Sequence, residues 1–132
     1  KPRWQGRRPP ENVFRDPSRV HLSSFDLYMF GIIVVSMATS LDIAHIDRSY
    51  VREGFEQMFN TKLPKGYHET FKLGSFLREH EEVAVARFKM VWGDAFGTQL
   101  FKEVLMMLHL DPRERPRPRE SLERIQKKAL PR

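Results

Sequence analysis

Asp26 is the residue whose setting first suggests chemistry. It opens Asp26-Leu27-Tyr28-Met29-Phe30-Gly31, and Ile32-Ile33-Val34-Val35 follows at once. A carboxylate at the head of a run that is apolar on every side is costly to bury unless it is hydrogen-bonded or paired. The expectation is a buried Asp26 with a dedicated partner. The other reactive side chains have no comparable setting. His21, His45, His68, His80 and His109 are scattered, without a His-x-x-x-His pair, and the chain has no Cys. A histidine metal motif and a thiolate zinc site are therefore missing from the sequence. Ser23, Ser24 and Ser36 lack the strand-turn context of a nucleophilic serine. Glu81 and Glu82 are adjacent and point apart on a helix, so they make no acid–base pair.

Two basic clusters are the second candidate. Lys1, Arg3, Arg7 and Arg8 lie at one end, Arg113, Arg115, Arg117 and Arg119 near the other, and the formal net charge is +6. Such clusters attract phosphates, but no aromatic residue is interleaved with the second, as a single-strand platform requires. The favoured reading is a solvated surface plus one or two structural arginines. A small basic all-helical domain binding nucleic acid or an acidic partner stands as the alternative.

The elements that position these residues read as helices. With 132 residues, 40% of them apolar, and with ten Phe, two Trp and three Tyr, one packed domain is expected. Residues 1–12, with Gly6 and the pair Pro9-Pro10, read as irregular, with the prolines able to open a short helix. Asp16-Pro17-Ser18 marks a loop. Ser23 or Ser24 can cap a helix running to about Thr39, and its all-round apolar character puts it inside the fold. Val51, Phe55, Met58 and Phe59 fit a short amphipathic helix that Leu63-Pro64-Lys65-Gly66 breaks. Phe76, Leu77, Ala84, Phe88, Val91 and Trp92 suggest one or two helices before Gly93. Leu100, Phe101, Val104, Leu105 and Leu108 mark another, ended by Asp111-Pro112. A last helix from Pro118 turns Leu122 and Ile125 inward. The methionines Met29, Met37, Met58, Met90, Met106 and Met107 read as core filler.

Asp26 and Ser36 bracket too short an apolar run for a membrane span, and no signal peptide is visible. The absence of Cys is compatible with a reducing compartment. The chain begins with Lys1, and is read as a processed product or a piece of something longer.

Three segments in order resemble the protein kinase superfamily. Pro9-Pro10-Glu11 resembles the Ala-Pro-Glu that closes the activation segment. Asp26 to Gly31 resembles the Asp-x-Trp/Tyr-Ser-x-Gly that opens the central helix of the C-lobe. Leu110-Asp111-Pro112-Arg113-Glu114-Arg115-Pro116 resembles the Leu-Asp-Pro-x-x-Arg-Pro near the domain end. The resemblance covers roughly residues 4–128. It implies a mainly α chain, the helical C-lobe of a protein-kinase-like fold around one central buried helix. Residues 1–22 would end the activation segment, 23–40 form the central helix, 47–96 an insert-containing helical region, and 97–130 the terminal helices.

The resemblance also implies roles. Glu11 would pair with Arg115, a match of fork and carboxylate that Lys cannot copy. Asp26 would accept backbone hydrogen bonds from a catalytic loop, and Gly31 completes its motif. Trp4, Gly6, Arg7 and Arg8 would belong to the substrate-side activation segment. The implied partner is the upstream kinase-domain segment or N-lobe. The locally acidic 47–96 region, with Glu79, Glu81 and Glu82, reads first as a solvated helix face and second as a docking surface for a protein. Nucleic acid is not favoured as a partner.

The departures bear on activity. The glycine-rich loop, the Val-Ala-x-Lys lysine, the His-Arg-Asp loop and the Asp-Phe-Gly metal site are missing from these residues, and phosphoryl transfer needs them. No cofactor is therefore expected in this chain, and ATP and Mg only in a parent that is an active kinase. Trp4 stands where active Ser/Thr kinases usually have Thr, and Arg7 where an aromatic is common. Met29 replaces the family Ser, and Arg117 a helix-capping Thr or Ser. The resemblance is to a divergent kinase or a pseudokinase.

Overall fold

The computed structural model describes residues 22–63 and 73–129, and every regular element among them is helical. The chain is mainly α. Its elements are α1 (Leu22–Thr39), a 3-10 helix (Ile43–His45), α2 (Ser49–Phe59), α3 (Leu73–Glu79), α4 (Glu81–Trp92), α5 (Asp94–Met107), a second 3-10 helix (Pro112–Glu114) and α6 (Pro118–Ala129).

Helix α1 supplies Leu27, Tyr28, Ile32, Val34, Val35 and Ala38 to the core, all buried. Two of its own hydroxyls close it. Thr39 Oγ1 donates to the Val35 carbonyl at 2.8 Å, and Ser36 Oγ to that of Ile32 at 2.9 Å. Ser36 Oγ also accepts from Ile43 N at 3.2 Å, tying the first 3-10 helix back onto α1. From α4, Arg87 Nε donates to the Ala38 carbonyl at 3.2 Å, a cation placed where the helix dipole favours one.

Burial of α1 is incomplete, which corrects the expectation of a helix enclosed on every side. Phe30, Ile33 and Met37 are 48%, 53% and 54% exposed. With the exposed Asp26 they fall at helical spacing on one face. The other faces are covered by α4, α5 and the 3-10 helices. Asp26 is thus not the buried carboxylate expected. It sits in water, where its charge is solvated. The capping hydroxyls assigned to Ser23 and Ser24 lie outside the described side chains.

An aromatic cluster joins α2 to α3. Phe55 lies 4.7 Å from Phe59 and 5.0 Å from Phe76 between ring centroids, and His80 stacks on Phe76 at 4.2 Å. Helix α2 stops at Asn60, which is left-handed with φ 51°, a conformation Asn tolerates. Beyond it, Leu63 N donates to Glu56 Oε2 at 2.8 Å, and Arg52 donates to the Leu63 carbonyl at 2.7 Å.

Single residues join the next helices. His80 links α3 to α4, and Gly93 links α4 to α5. Gly93 N donates to the Lys89 carbonyl at 2.7 Å while its own carbonyl accepts from Gly97 N at 2.8 Å. Its φ of 86° suits glycine. So short a joint presses α4 against α5 at Gly97, where a Cβ would sit 2.6 Å from the Phe88 carbonyl oxygen.

Several expected core residues lie at the surface. Val91 is 44%, Met90 70% and Leu122 54% exposed. On α6 the inward positions are Ser121, Arg124 and Ile125, because Arg124 is drawn to a carboxylate on α5, and Leu122 is turned outward. Met37 and Met90 are surface residues rather than core filler, whereas Met107 is fully buried. Helix α5 ends at Met107, ahead of the Asp111-Pro112 stop. Asp111 does take the extended conformation that a following proline imposes (φ −89°, ψ 117°).

The glycines give a paired test. Gly97→Ala forces backbone apart, since every close atom is main chain of Phe88 or Lys89. It should cost about 1–3 kcal/mol in urea unfolding. Gly74→Ala meets only ordinary contacts, the nearest at 3.5 Å, and should be neutral or gain up to ~1 kcal/mol from helix propensity. Equal effects would contradict the packing described.

Candidate functional site

The two described segments that carry the kinase resemblance meet at Arg115. The second 3-10 helix is set by Asp111, whose Oδ1 accepts from Arg113 N at 2.9 Å. This turns Arg115 into extended backbone and toward α1. Arg115 is 6% exposed, and its Nε donates to the His109 carbonyl at 2.9 Å. Its guanidinium carbon stands 4.7 Å from the centroid of the Tyr28 ring, itself fully buried. A cation over an aromatic face is a favourable contact, and the planar, weakly hydrated guanidinium suits a buried one better than a lysine ammonium does. Gly31, a turn along α1 from Tyr28, lets Leu108 approach. A Cβ there would lie 3.1 Å from Leu108 Cδ2.

The remaining candidates are placed as follows. Asp26 is exposed at the head of the Phe30–Ile33–Met37 face. Glu11, with Trp4, Gly6, Arg7 and Arg8, lies outside the described residues.

Two of the four arginines of the second basic cluster, Arg113 and Arg115, have their guanidinium groups engaged within the chain. Arg113 makes a forked pair with Asp111, at 3.2 and 3.1 Å. The hydrogen bond and charge of Asp111 raise the Arg113 pKa above its ordinary value. Arg115 is buried. Arg117 N donates to Glu120 Oε1 at 2.8 Å, half of a capping box in which the side chain at 117 does not reciprocate. Among the described residues acidic and basic side chains are equal in number, so the net charge of +6 comes wholly from segments 1–21, 64–72 and 130–132. The described helices therefore add nothing to the net positive charge that attracts nucleic acid.

Beside the exposed face of α1 runs a groove of about 490 Å³ lined mainly by Met29, Ile33, Met37, Leu41 and Ala44. Among the described residues no Lys or Arg lines it. Asp42 at its rim is held by His45, Nδ1 to Oδ2 at 2.6 Å. Apolar side chains suit this groove better than a nucleotide. No cluster of three or more His, Asp or Glu able to hold a metal occurs among the described residues. No helix among them is long and apolar enough to cross a membrane.

No protein-family model, curated protein or solved structure matches this chain.

One polar assembly escaped the sequence reading. Glu103 on α5 is fully buried. Its Oε2 and Oε1 accept from Arg124 Nε at 2.8 Å and the second guanidinium nitrogen at 3.1 Å, and Gln99 Nε2 donates at 3.1 Å. The hydrogen bond from Arg124 to this carboxylate raises the arginine's pKa, against the opposing effect of burial. The available signal was position: Gln99 and Glu103 are four apart and fall within the stripe of Leu100, Val104 and Met107.

Arg124→Ala leaves Glu103 buried with Gln99 as its remaining donor here. A loss of about 2–3 kcal/mol in urea unfolding is expected. The apolar double variant Glu103→Leu/Arg124→Met should recover at least half of that, because the stranded charge is gone. A double variant weaker than Arg124→Ala would show that packing, rather than desolvation, dominates this contact.

Proposed function

We propose that this chain is the C-terminal lobe portion of a protein-kinase-like domain. Ser/Thr phosphotransfer belongs to a complete parent, or the domain serves as a pseudokinase scaffold; the chain alone is not catalytic. The observation that carries the reading is the packing of buried Arg115 over Tyr28, which joins two of the three segments bearing the resemblance. The half-exposed face of Phe30, Ile33 and Met37 adds support, because a C-lobe central helix is completed by the catalytic loop of its own domain. In this reading the upstream kinase segment or N-lobe is the partner. It covers that face, offers backbone N–H groups to Asp26, and holds ATP and Mg with its own residues. The 47–96 region presents exposed Glu79, Glu81, Glu82 and Met90 as a secondary surface for a protein partner. The basic-domain alternative has less support, since the helical body carries no net charge.

Three measurements test the reading. In a double-mutant cycle, Glu11→Gln and Arg115→Lys should each destabilise the chain, by up to ~3–5 kcal/mol if the pair is buried. Their coupling should exceed about 1 kcal/mol, and additive effects would remove the family pairing. Calorimetric titration of residues 1–132 with ATP and magnesium should give no heat of binding, and micromolar, magnesium-dependent binding would contradict the assignment of the nucleotide to the other half. In sedimentation at low micromolar concentration the wild-type chain should self-associate. Phe30→Glu/Ile33→Glu/Met37→Glu should be monomeric with unchanged helical circular dichroism. A monodisperse wild-type monomer would favour a self-contained helical domain.

A further inference from the structure

We draw no further inference here: the strongest candidate, the half-exposed Phe30–Ile33–Met37 face of α1 with its adjoining apolar groove, belongs to the reading just proposed, and nothing else in the structure shows what covers it.

Discussion

The burial of α1 is the constraint on which the rest of the chain depends. Its 18 residues span about 27 Å at the helical rise, and Tyr28, Val35 and Ala38 on it are completely covered. A helix so apolar cannot stand in water, so the later elements are arranged to cover it. Helix α5 reaches it where Gly31 leaves room for Leu108. Arg87 from α4 caps its end through the Ala38 carbonyl. The first 3-10 helix is held against it by Ser36. Apolar area drives these contacts without direction, while the glycine and the two polar bonds help set where each element docks.

Two arginines do related work inside this apolar frame. Arg115 fastens the segment after α5 to α1, and Arg124 fastens α6 to α5. The Arg124–Glu103 contact is not the cheapest way to fill its space, since a buried ion pair is often no more stable than apolar residues of similar volume. What each adds is geometry. Arg124 admits one register of α6 on α5, the one that places Ser121 and Ile125 inward and leaves Leu122 outside. Apolar contact alone would have favoured Leu122 as the inward residue, as its spacing with Ile125 suggests.

That conflict explains much of what was legible in the sequence and what was not. Helix positions could be read, because several stops are local: Gly93 before α5, Pro118 at the start of α6, and Leu63-Pro64 beyond α2, although α2 itself ends earlier, at the left-handed Asn60. The mainly α class followed from them. Which face of each helix turns inward is a tertiary property. On α1 the apolar residues encircle the helix, so no periodicity distinguishes buried Ile32 and Val35 from exposed Ile33 and Met37. Asp26 was misjudged for the same reason: its neighbours in sequence are apolar, but its neighbours on its helix face are the exposed ones. At the candidate site, Arg115 and Gly31 could be found through motif resemblance. Glu103 had only its place in the apolar stripe of α5 to mark it, and its partner could not be read, because the arginine that reaches it lies 21 residues on.

The exposed face of α1 is the point at which physics and the proposed assignment meet. Single apolar residues on a surface are ordinary. Three on one helix face, bordering an apolar groove, are a patch of the kind that marks an interaction surface. Covering what remains open would contribute ~1 kcal/mol for each of Phe30, Ile33 and Met37, each being about half exposed. A helix completing its own fold gains nothing from apolar residues there, and polar ones would keep it soluble at no cost to its core. Their presence is therefore better accounted for by a covering structure than by the stability of the described helices. The acid at the head of the face fits the same account. Asp26 does nothing for the core as it stands, whereas an arriving segment with unsatisfied backbone N–H groups would find in it a charged acceptor, where a hydrogen bond is stronger than between neutral partners.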